Sequence, residues 1–124
     1  MRIGNIFNKI DIKYKSHNFS NLNFDSRKCK KGDIFFAIRG TKKNGNNFIR
    51  NALNNGAHTI VSKKKYQGFV KNILYLHSNN PRKLLSQSAS KLFNQKPDNL
   101  IAVTGTNGKS SIVNFYYQIL KLNK

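Results

Sequence analysis

A chain of 124 residues with 38% hydrophobic content can bury one core and begin a second, which excludes a disordered tail. No apolar run reaches the roughly 18 residues of a membrane span, and MRIGNIFNKIDIKYK lacks the apolar centre of a secretion signal, so a cytoplasmic protein with no membrane partner is expected. The 23 Lys and Arg face only 4 acidic residues, a formal charge of +19 that suits an anionic partner; yet the lysines are scattered and Asn is abundant, as AT-rich coding would give, so nucleic acid is not taken as the partner.

Along the chain, Ile3, Ile6, Phe7 and Ile10 are spaced like a short amphipathic helix, and a polar loop follows. DSRKCKKGD is a turn-rich connector into IFFAI (34–38), an apolar run that reads as a strand buried on both faces. After the loop GTKKNGN, Phe48, Ile49, Ala52 and Leu53 predict a helix over about 47–55, with Gly56 placed for a left-handed C-terminal cap. TIVS (59–62) and NILYL (72–76) read as strands separated by an exposed KKKYQG turn.

Pro81 opens the clearest helix, with Leu84, Leu85, Ala89, Leu92 and Phe93 on one stripe and Pro97 beyond its end. NLIAV (99–103) reads as another buried strand, and Ile112, Val113, Tyr116, Ile119 and Leu120 share one side of a final helix. Alternating strands and helices imply an α/β fold, with a boundary at NQKPDN dividing 1–97 from 98–124. Cys29 has no partner for an internal disulfide, and His17, His58 and His77 show no metal-ligand spacing.

The stretch IAVTGTNGKSS carries the clearest chemistry. A strand running into a Gly-rich turn and then a helix aims backbone N–H groups and the positive end of the helix dipole at one point, which suits an anion. Gly105 and Gly108 allow the backbone to approach it, Lys109 can reach outer phosphates, and the Ser110 hydroxyl can join a Mg²⁺ that bridges them. Val103 stands where the general P-loop spacing has Gly, so a plain strand-turn-helix with a solvated lysine is the competing reading.

TGTNGKSS closely resembles the ATP loop of the Mur ligases and their folylpolyglutamate synthetase relatives, which read T-G-T-N-G-K-[ST]-[ST]. Upstream, DSRKCKKGDIFFAIRGTKKNGNNFIRNALNNGAHTIV resembles the N-terminal domain of two Mur ligases: one adds the third residue of the muramoyl peptide, the other the D-Ala-D-Ala dipeptide. Thr106 tilts the resemblance to the third-residue-adding member. Departures are Cys29 for the usual Val and Asn44 where Asp often precedes Gly45.

The resemblance implies a small uridine-nucleotide-binding domain with a mixed sheet and flanking helices (1–97), followed by the first strand, P-loop and helix of a central ATP-binding domain (98–124). It assigns Phe24, Ser26, Thr41, Lys42 and Lys43 to the UDP-N-acetylmuramoyl dipeptide, and Gly105, Thr106, Asn107, Gly108, Lys109, Ser110 and Ser111 to ATP, with Mg²⁺ on Ser110. The residues themselves equally allow Asp25 and Ser26 to cap a turn, Arg27 to pair with Asp33, and Lys42 and Lys43 to be solvated.

The implied reaction is ATP-dependent amide formation in peptidoglycan synthesis. A substrate carboxylate attacks the γ-phosphorus, and the amine of diaminopimelate or lysine displaces phosphate from the acyl phosphate. The family's other Mg²⁺ ligands, a carbamylated lysine and a D-N-P-R stretch lie downstream of the loop, so the 124 residues are expected to be an inactive N-terminal fragment whose missing partner is the rest of the ligase. The D-Ala-D-Ala-adding ligase and a small basic nucleic-acid-binding protein are the alternatives.

Overall fold

The computed structural model describes residues 1–93, 95, 97 and 99–122. The chain divides into two compact units, Met1–Asn94 and Gln95–Lys124. The boundary expected at NQKPDN includes Asn94, Lys96 and Asp98, which lie outside the described residues.

The first unit is an α/β layer structure around one sheet. Its strands are β1 (Leu22–Asn23), β2 (Ile34–Phe36), β3 (Thr59–Ser62), β4 (Gly68–Val70) and β5 (Ile73–His77), in the order β1-β2-β3-β5-β4. All neighbours pair in parallel except β4 with β5. Three of its helices are α1 (Ile12–Lys15), α2 (Ile49–Asn54) and α3 (Pro81–Leu92), joined by short 3-10 turns at Ile3–Asn5, Ser26–Lys28 and Gly45–Phe48.

Successive side chains of a strand point to opposite faces, and the apolar run of β2 therefore feeds two cores. Ile34 and Phe36 join Val61, Leu74 and Leu76 against the N-terminal segment and α3, while Phe35 joins Ile60 against Ala52, Ala57 and Cys29. Phe7 meets Phe36 edge to face, with ring centroids 6.3 Å apart. Burial pushes the Cys29 thiol up to about 11, so the side chain behaves as a small apolar group.

Several expectations need correction. The N-terminal apolar residues form no continuous helix: Ile3 opens a 3-10 turn and α1 starts only at Ile12, although Ile3, Ile6 and Phe7 are buried as their spacing implied. The KKKYQG turn ends in a strand, because Lys71 and Asn72 adopt positive φ of 47° and 64° and fold β4 back on β5 as a tight hairpin. Asn72 is thus a turn residue and not the first residue of a strand. β1 also went unanticipated; two residues carry no period.

In the second unit, α4 (Lys109–Leu122) forms as its spacing predicts. Residues 99–103 form no strand, and Leu100 and Ile101 are 85% and 57% exposed. A buried strand needs neighbours on its hydrogen-bonding edges, and no described strand pairs with this segment.

Candidate functional site

Two places gather residues nominated from the sequence. In the first unit, Phe24, Ser26 and Lys43 line one cleft of about 350 Å³, together with Asp25, Arg27, Phe48 and Asn51. Thr41 and Lys42 lie exposed on the same loop and are not on its lining. The cleft is shaped by the segment after β1 and by the entry to α2.

Asp25 caps the 3-10 turn at Ser26–Lys28 by accepting from the Arg27 amide at 3.1 Å. Ser26 is buried, and its carbonyl accepts from Asn55 Nδ2 at 2.8 Å, which fixes the turn against the end of α2. Phe24 is 68% exposed and offers a free ring face. On the other side, the Gly45 amide donates to the Ile38 carbonyl at 3.0 Å. A Cβ at Gly45 would stand 2.5 Å from the Ile38 nitrogen, so only glycine lets the loop carrying Lys43 return this close to the end of β2.

The alternative pairing of Arg27 with Asp33, which the residues allowed, does not form. Arg27 grips Asp25 with two bonds of 3.0 and 2.8 Å, because residues two apart across a tight turn meet more readily than distant ones. Asp33 instead accepts from Asn23 Nδ2 and the Lys30 amide. The Arg27 guanidinium pulls the Asp25 carboxyl down to about 2, so it stays ionised but neutralised. Lys43 is left as the unneutralised charge of the cleft, which suits an anionic ligand with an aromatic or apolar end.

The second place is the loop before α4. Gly108 has φ +74°, a conformation that L side chains rarely adopt, and nothing lies within 4 Å of where its Cβ would be. Its carbonyl accepts from the Ile112 amide at 3.0 Å, the first bond of the helix. The amides of Lys109, Ser110 and Ser111 therefore have no acceptor within the helix and open beside the positive end of its dipole. Lys109 Nζ folds back onto the carbonyls of Gly105 and Thr106.

All seven nominated residues of this loop, Gly105 through Ser111, are exposed. Three orphan amides, a cation and two hydroxyls open at this loop, a cradle whose chemistry suits a phosphate. Among the described residues no group of three His, Cys, Asp or Glu could hold a metal.

A model of the Mur ligase family, catalytic domain, matches residues 18–113. The chain belongs to the Mur ligase family. It is 38% identical over 111 residues to a UDP-N-acetylmuramoyl-L-alanyl-D-glutamate--2,6-diaminopimelate ligase of Rickettsia prowazekii, covering 90% of this chain and 23% of that protein. The corresponding ligase of Clostridium tetani is 36% identical over 119 residues, covering 90% of this chain and 24% of the relative. Among solved structures, the MurF ligase of Thermotoga maritima in complex with ADP superposes with a TM-score of 0.62 at 27% identity, covering 82% of this chain and 23% of that one. The chain thus spans about a quarter of the length of the Mur ligases it matches.

Sequence reasoning missed Phe48, Asn51, Asp25 and Arg27 as members of the first cleft. A signal existed for two of them: Phe48 and Asn51 are three apart across the entry to α2 and so share a face. Phe48 enters the sequence reading only as part of the apolar spacing of a helix; it also packs on the second cluster.

Proposed function

We propose that this chain is the substrate-binding and P-loop portion of an ATP-dependent amide ligase of peptidoglycan precursor synthesis, acting in the cytoplasm. Its product would carry diaminopimelate or lysine as the third residue of the muramoyl peptide. The observation that carries the reading is the cradle at Gly108, Lys109 and Ser110, in a Mur ligase whose more similar relatives are named as diaminopimelate-adding. The MurF likeness keeps the D-Ala-D-Ala-adding reaction as the second reading.

On this reading, residues 1–97 form the UDP-substrate domain and 98–124 begin the ATP domain. Ser26 hydrogen-bonds the uracil edge, Phe24 packs on the ring, and Lys43, with Thr41 and Lys42 beside it, meets the diphosphate. The amides of Gly108 to Ser111 and the loop residues Gly105, Thr106 and Asn107 hold the ATP phosphates. Lys109 swings from the loop carbonyls to the outer phosphates, and Ser110 joins the coordination of Mg²⁺. That ion would supply charge neutralisation on the phosphates; the chain's own residues supply position.

The 124 residues contain only 4 acidic side chains and are proposed to form no amide by themselves. The test is calorimetric titration of the chain with UDP-N-acetylmuramoyl-L-Ala-D-Glu and, separately, with Mg-ATP. Ser26→Ala should weaken only the first and Lys109→Met only the second, each by about tenfold, the scale of one charge-assisted or buried hydrogen bond. Equal weakening of both ligands by either variant would overturn the assignment.

A further inference from the structure

Besides the cleft at Ser26, the first unit has another of about 370 Å³ whose lining includes Arg39, Asn44, Asn46, Lys63, Asn80 and Arg82. Arg39 lies just beyond β2, Lys63 follows β3 directly, and Asn80 and Arg82 flank the start of α3 after β5. The opening therefore lies outside the carboxyl ends of three adjacent parallel strands, where ligands of open α/β sheets characteristically bind. Three cations meet there without a carboxylate on the lining, and none of them forms an ion pair among the described residues.

Two further features point the same way. The Asn46 Oδ1 is buried and has no hydrogen-bond partner, an expense normally met by a ligand or water. Turning that amide by half a rotation presents Nδ2 at the same place, as a donor. At α3, Pro81 has no N–H, Asn80 Oδ1 accepts from the Lys83 amide at 3.0 Å, and the Asn80 carbonyl accepts from Leu84. The Arg82 amide is the one left without an acceptor in the helix, at the positive end of its dipole.

We infer that this cleft is a second anion site, taking a phosphate or diphosphate group, separate from the cleft at Ser26 and from the loop before α4. The guanidinium groups of Arg39 and Arg82 grip two edges of the anion, Lys63 adds a point charge, and the Asn46 amide fills the remaining acceptor. Asn44 fits the same picture. A carboxylate there would neutralise the neighbouring cations; the amide instead accepts from the Asn46 backbone at 3.1 Å and leaves their charge to a ligand.

The experiment is a titration of the ¹⁵N-labelled chain with sodium diphosphate at constant ionic strength, followed by amide shifts, in the wild type and in Arg39→Gln, Arg82→Gln, Lys109→Met and Lys13→Gln. All four side chains are exposed, and circular dichroism verifies each fold. The expected result is saturable movement of the Arg39, Asn46 and Arg82 amides, weakened about tenfold by either Gln variant at the cleft and unchanged by Lys109→Met or Lys13→Gln. Shifts that do not saturate, or that Lys13→Gln reduces equally, mean general charge attraction and overturn the site.

Uridine diphosphate separates the two sources of the group. If it moves the amides around Ser26 and those around Arg82 with one common affinity, the cleft is the diphosphate end of the nucleotide site, and a separate site is overturned. If diphosphate moves the Arg82 set while uridine diphosphate saturates the Ser26 set at a different concentration, the separate site stands. The Ser26→Ala variant, which leaves the second cleft intact, distinguishes failure of the nucleotide reading from failure of this one.

Discussion

The runs IFFAI and LIAV are close to equivalent as sequence, yet they end in opposite states. Ile34 and Phe36 are fully buried, whereas Leu100 and Ile101 are 85% and 57% exposed. The difference is not propensity. Strand β2 has β1 on one edge and β3 on the other, and helices or turns cover both its faces. Residues 99–103 have no ladder partner in the described chain, and α4 carries its apolar stripe with none of its residues buried. An apolar run states what a segment can bury; neighbours decide whether it does.

The widest gap between the two regions should appear on truncating one large apolar side chain in each. Phe36→Ala removes a ring in contact with Phe7 from the core face of the sheet and should cost about 3–5 kcal/mol. Ile112→Ala, on a residue 54% exposed, should stay within about 0.5 kcal/mol. Urea unfolding followed by circular dichroism compares them. A loss at Ile112 matching that at Phe36 would mean that the α4 stripe is buried in solution, and the contrast would fail.

Much of the first unit was legible because its signals are local and redundant. IFFAI and TIVS are bounded by turn residues, α3 is opened by Asn80 and Pro81, and Gly56 at φ +100° ends α2 as a left-handed cap should. The hairpin through Lys71 and Asn72 was illegible because Lys is an uncommon residue at positive φ, so the turn lacked its usual Asn-Gly signature. The cleft was partly legible. Ser26 and Lys43 followed from the family resemblance, while Arg27 and Asn51 are brought there by a turn and a helix entry whose positions only packing determines.

A smaller and pH-dependent contrast is expected at His17. Its Nε2 is buried without a partner, its ring meets Phe69, and its pKa is lowered from 6.5 by burial first and by the His58 charge second. The folded chain thus favours neutral imidazole, while the unfolded chain takes up a proton near 6.5. The stabilisation is complete above that value and is lost as pH falls through 6.5 toward the lower folded pKa. Unfolding midpoints measured between pH 7.5 and pH 5 should fall, and His17→Asn should flatten the slope. An unchanged slope in the variant would assign the effect to other groups.

The smallest effect belongs where the first unit resembles the second, at its solvated surface. Arg27→Ala removes the guanidinium that holds the Asp25 carboxyl near 2, so its titration, read from the carboxyl ¹³C shift, should return toward 3.8. A depressed carboxylate pKa stabilises the fold above 3.8, and that contribution disappears as pH falls through about 2. The Arg27 side chain is exposed and the Asp25 side chain half-buried at the rim of the cleft, so solvent screens the pair and the melting temperature at pH 7 should move little. Binding should respond more than stability, because Asp25 without Arg27 presents an unneutralised carboxylate to any diphosphate that Lys43 attracts. A variant that melts early yet binds uridine diphosphate as before would reverse that order and make the Arg27 to Asp25 pair a structural clamp.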